Sequence, residues 1–184
     1  MAGPHESIRV FAASRPSLRA LWASRSGRFD RLHLFVPSDA VVGEPVTVRV
    51  QAWDEYERLH AIEGTPSLDS TDDDAAIPAE VSFDGDGPSV GPGNPEDGVA
   101  TVEATFATTG VQYLTAEYRG ERFVSNPVRV HDADPGERTL WGDIHLHSSL
   151  SDGAGAAADG FAFAREVMGL DVCAYTDHDT MGFF

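Results

Sequence analysis

Two histidines one residue apart, His145 and His147, stand in the stretch "DIHLHSSLSDG" (143–153), and Asp152 follows on the loop beyond them. About one helix later, "AYTDHDT" (174–180) brings Asp177, His178 and Asp179. Mixed imidazole and carboxylate donors suit Zn, Mn or Fe better than Mg or Ca. On a strand, Asp143, His145 and His147 point one way while Ile144 and Leu146 point the other. The two imidazoles are then roughly 6.6 Å apart, from two rises of ~3.3 Å, close enough to converge on one ion. Each feature also has a plainer reading. A lone HxH fits a half-exposed strand face, "SDG" is a common turn, and Asp177 fits a strand end or helix cap. Taken in order, they point to metal binding.

The elements around these residues place them together. "TLWGDIHLH" (139–147) reads as a strand. "AADGFAFAREVMGL" (157–170) fits a helix with Phe161, Ala164, Val167 and Met168 on one face, and Gly169 is placed to end it. "DVCAYT" (171–176) reads as a second buried strand, with Cys173 as a structural thiol. The result is one β-α-β unit. In parallel βα folds the loops at the carboxyl ends of the strands build the site. His145, His147, Asp152 and His178 all fall at that end, and Gly153 lets the intervening loop turn tightly. His5, His33, His60 and His131 share no such setting and read as surface or packing residues.

The remainder of the chain is different. From about Val41 to His131 short alternating segments are broken by turn residues, as in "VTVRVQAW" (46–53), "AEVSF" (79–83), "VATVEATF" (99–106), "VQYLTAEY" (111–118) and "RFVSNPVRV" (122–130). Pro127 restricts the last to a sheet edge or a bulge. Strands at this spacing without helices between them predict an antiparallel, Ig-like β-sandwich over 38–131. Residues 1–37 read as an irregular lead-in with a short helix at "SLRALWASR" (17–25) and one strand, "RLHLFV". Residues 132–138 read as a linker, and 139–184 as the metal-binding segment. The acidic stretches "LDSTDDDAA" (68–76) and "DGDGPSVGPGNPEDG" (84–98) lack EF-hand spacing and read as solvated loops.

The chain has 13 basic residues, all arginine, against 30 acidic ones, for a net charge of −17. Such a surface repels nucleic acid and anionic membranes at long range. No apolar run reaches the ~20 residues of a spanning helix, and the start carries no secretory signal, which favours the cytoplasm. One cysteine excludes an internal disulfide framework.

"DIHLHSSLSDG" followed by "VCAYTDHDT" resembles the opening of a PHP domain, the polymerase and histidinol phosphatase superfamily of metal-dependent phosphoesterases. "RTLWGD" and a strand-rich segment with "SNPV" are similar to the DUF3604-type group within it. The resemblance covers about residues 139–184. It implies a distorted βα barrel, of which this chain would hold the first unit, and up to three Mn, Zn or Fe ions. His145, His147, Asp152 and His178 would be ligands, and Asp177 and Asp179 would orient imidazoles. A metal-activated water would then hydrolyse a phosphate ester. On this reading the chain is an N-terminal fragment, itself inactive. Two alternatives stand beside it: metal-assisted hydrolysis of a C–N or C–O bond, and a non-catalytic β-sandwich binding module.

Overall fold

The computed structural model describes residues 27–91 and 93–179. The helix expected at 17–25 and His5 lie outside the described residues. The chain is mostly β-sheet with few helices. Its strands are β1 (Phe29–Phe35), β2 (Asp39–Val41), β3 (Pro45–Asp54), β4 (Ser67–Ser70), β5 (Val99–Thr105), β6 (Gly110–Gln112), β7 (Leu114–Tyr118), β8 (Glu121–Val124) and β9 (Val128–His131). A helical turn, α1 (Pro95–Gly98), precedes β5. The last part holds β10 (Gly142–Leu146), α2 (Ala157–Ala162) running into a π-helical turn (Phe163–Val167), and β11 (Val172–Tyr175).

Three small sheets, in the orders β1-β3-β5, β4-β7-β8 and β2-β9-β6, share one apolar core. The period-two pattern of β3 builds its centre: Val48, Val50 and Ala52 are fully buried. Ala104 and Phe106 flank them from the β5 segment of the same sheet, and Leu114, Ala116 and Val128 come from the other two sheets. This is a β-sandwich, though not a purely antiparallel one, because β2 pairs with β9 in parallel.

Two expected strands are each divided. "VQYLTAEY" breaks at Tyr113, so β6 pairs with β9 while β7 pairs with β4 and β8. "RFVSNPVRV" breaks around Pro127 into β8 and β9, which belong to different sheets. The side chain of Asn126 in that break acts like a piece of strand. It accepts from Val36 N at 3.0 Å and donates to Val36 O at 2.7 Å. "AEVSF" contributes only a single bridge, Glu80 to Ser67. The first acidic stretch is not simply a solvated loop. It contains part of β4, and Asp72 is buried, accepting from the backbone of Ala107 at 2.7 Å and Thr108 at 2.9 Å.

β10 and β11 pair in parallel with the helix between them, so the β-α-β connection read from the sequence is present. Ala164 and Val167 are the buried helix residues. Val167 joins Trp53, Leu59 and Val99 in a second apolar cluster on the outer side of β3. Gln51 extends that contact: its amide nitrogen donates to the Val167 carbonyl, and its oxygen accepts from Trp53 Nε1 at 2.9 Å. Gly169, with φ +65°, then turns the chain out of the helix. Among the described residues the sheet has two strands, and Ile144 and Val172 on it are 68% and 44% exposed. Cys173 is half-buried and free.

Candidate metal centre

β10 ends at Leu146, and the next residue, His147, leads into a tight loop. Ser148 anchors that loop. It is fully buried, and its carbonyl accepts from Ser151 N at 3.1 Å and Gly153 N at 3.0 Å. A Cβ at Gly153 would collide with the His147 carbonyl, so glycine is needed there for close approach. Asp177, just past β11, fastens the loop from the other strand. It accepts from Ser148 N and Ser148 Oγ at 2.7 Å each and from Ser151 Oγ at 2.5 Å. Those hydrogen bonds, from Ser151 and Ser148 foremost, hold its carboxyl below the usual carboxylate range.

The loop thereby brings Asp152 to His147 and His178. Asp152 Oδ1 lies 2.5 Å from His147 Nδ1, and Asp152 Oδ2 lies 3.8 Å from His178 Nε2. The rings of His147 and His178 meet edge to face at 4.6 Å. One donor atom from each of His147, Asp152 and His178 lies within 4.8 Å of the other two. The hydrogen bond from His147 is the main reason that the Asp152 carboxyl titrates below its ordinary value. His147 Nε2 is buried and has no hydrogen-bond partner among the described residues. A buried polar nitrogen without a partner is uncommon and points to an unseen one, such as a water or an ion.

Of the residues read from the sequence, three therefore converge. His145 is beside them, its ring 5.1 Å from that of His147, but it is not in the three-donor group. Asp177 orients the loop rather than an imidazole, and Asp179 is exposed. Ser148 and Ser151, which position Asp152, were not singled out by sequence reasoning. Their only signal is the three-residue spacing inside "SSLS". His131, read as a surface or packing residue, contacts Asp39 at 2.7 Å.

Fold and site together define a β-sandwich carrying a small β-α-β unit with a cluster of metal-type donors at its rim. No family model matches the chain, and no curated protein matches it. Among solved structures it is similar to domains 4 and 5 of the S-layer protein SbsC, with 18% identity and a TM-score of 0.35 over 57% of this chain and 53% of that one. It is also similar to the Escherichia coli adhesin FdeC, with 17% identity and a TM-score of 0.42 over 58% of this chain and 32% of that one. A third is the Yersinia pseudotuberculosis adhesin InvE, with 14% identity and a TM-score of 0.41 over 56% and 28%. The chain thus spans about half, or less, of each of these structures. With TM-scores below 0.5, the likenesses define no partner for this chain.

The expected family is corrected by these findings. No family model supports a PHP domain, and the structures named are S-layer and adhesin domains rather than metal-dependent phosphoesterases. The phosphoesterase activity and the PHP-type barrel inferred from that resemblance fall with it. No helix among the described residues is long and apolar enough to cross a membrane.

Proposed function

We propose that the chain is a non-catalytic β-sandwich binding module whose C-terminal unit holds one divalent transition-metal ion on His147, Asp152 and His178. The convergence of these three donors within 4.8 Å carries the reading. The unpartnered His147 Nε2 supports it. Two imidazoles and a carboxylate fit Zn, Mn or Fe and leave coordination positions open. The side chains of Asp152 and His178 are 61% and 55% exposed, so those positions face solvent at the rim. Water-excluding walls, which strengthen electrostatic catalysis, do not enclose them. An ion here would bridge the loop to the end of β11 and stiffen the rim as a binding surface.

Calorimetric titration of chelator-stripped protein with Zn²⁺ and Mn²⁺ tests the assignment. The expected result is one ion per chain, with affinity reduced more than about tenfold in His147→Ala and in His178→Ala. His145→Ala is expected to bind as the parent does. Unchanged affinity in His147→Ala, with the fold intact in EDTA, refutes the site.

A further inference from the structure

A cleft of about 530 Å³ lies between the sandwich and the C-terminal unit, away from His147, Asp152 and His178. Phe35 and Pro37 line one side, and Leu140, Trp141, Met168 and Leu170 line the other. Volume and apolar lining are those of a small-molecule site, which needs only a few placed polar groups. The polar groups are unequally committed. Asp39 already accepts from Thr139 N at 2.9 Å and contacts His131 Nε2 at 2.7 Å. Asp171 already accepts from Trp141 N at 2.9 Å. Arg49, half-buried in the lining, has no hydrogen-bond or ion-pair partner for its guanidinium among the described residues. That is notable in a chain with 30 acidic residues and 13 arginines.

Two further features keep the cleft open. Trp141 is 62% exposed, yet its Nε1 donates to Ser38 Oγ at 2.6 Å, which fixes the ring as a wall. Beside the guanidinium stands Gly169, where a Cβ would come within 3.1 Å of Arg49 Nη1. We propose that this cleft binds an amphipathic carboxylate. Its apolar body lies against Trp141 and Leu170, and its carboxylate takes the two parallel N–H donors of Arg49. The chain's own first 26 residues have the wrong charge for this role, with Arg9, Arg15, Arg19 and Arg25 against the single acid Glu6. The net charge of −17 repels small anions at long range, so a simple inorganic anion without an apolar body gains little here.

The test is an NMR titration of the whole chain, reading the Trp141 indole N–H, which Trp141→Phe identifies by its loss. The probes are 3-phenylpropionate and its neutral amide, 3-phenylpropanamide. The expected result is a saturable shift with the carboxylate and at least roughly fivefold weaker binding of the amide. Arg49→Gln removes that preference while leaving the thermal transition in place. Equal binding of the two probes, no shift up to about 10 mM, or an unchanged preference in Arg49→Gln overturns the proposal. The comparison of the two probes on the parent protein decides the matter even if the variant does not fold.

Discussion

Gln51→Leu probes the joint between the sandwich and the C-terminal unit. Gln51 is fully buried although it points away from the main core, because the end of the helix covers it. Val167 closes the π-helical turn, and a carbonyl at a helix end has no partner within the helix. The Gln51 amide supplies that partner while also accepting the Trp53 indole N–H at 2.9 Å. Leucine has similar bulk and neither donor nor acceptor. The substitution therefore strands one buried carbonyl and one buried N–H, at about 1–3 kcal/mol each. Offset by the apolar packing of leucine, the expected net loss is about 2–4 kcal/mol. For a chain of this size that lowers Tm by roughly 5–15 °C. Urea unfolding followed by tryptophan fluorescence reads the loss, and hydrogen exchange over residues 160–168 locates it. A variant within about 0.5 kcal/mol of the parent, with unchanged exchange in the helix, refutes the view that this amide holds the joint.

Asp54 accepts four hydrogen bonds, from Tyr56 N, Arg58 N, Arg58 Nε and Arg58 Nη2, at 2.7–3.0 Å, and both side chains are buried. Asp54→Ala removes the carboxylate that accepts the Arg58 Nε and Nη2 donors in this buried pair and is expected to cost about 3–5 kcal/mol in chemical denaturation. Burial pushes the carboxyls of Asp54 and Asp72 up, but hydrogen bonds outweigh it, from Arg58 in one case and from the Thr108 and Ala107 amides in the other, so both titrate below their ordinary value. Their contribution is complete above the unfolded value of about 3.9 and drains away as pH falls through the lowered folded values. Acid unfolding followed by circular dichroism is expected to show a flatter acid limb in Asp72→Asn than in the parent. Asp177→Ala frees Ser148 and Ser151 and is expected to weaken Zn²⁺ binding by about tenfold to a hundredfold, read by calorimetry.

Long periodic segments were legible in the sequence, because their burial follows from their own spacing. The alternation of Val48, Val50 and Ala52 and the helix positions Ala164 and Val167 are of this kind. So was the gathering of His147, Asp152 and His178, which follows from β-α-β connectivity. The strands β2 and β4 have three and four residues, too few to show a period, and were missed. The breaks at Tyr113 and Pro127 depend on which sheet accepts each half, a decision made by distant strands. Burial of Asp72 depends on amides 35 and 36 residues away, which no local pattern announces. His145 shares a strand face with His147 by alternation, yet the loop that brings Asp152 around closes on His147. That difference arises from the Ser148–Asp177 fastening, not from the strand.

The two-stranded sheet has a physical cost outside the folded monomer. Among the described residues, each of β10 and β11 pairs on one side only, leaving a row of backbone donors and acceptors, with Ile144 and Val172 at the surface nearby. Such an edge is sticky toward other strands. A net charge of −17 makes copies of the chain repel one another. Added salt shortens the reach of that repulsion from about 10 Å at 0.1 M to about 3 Å at 1 M, while strengthening apolar attraction if the anion is a kosmotrope. Colloidal behaviour is thereby expected to follow ionic strength, with dilute buffer favouring dispersed molecules and brine letting these strand margins approach.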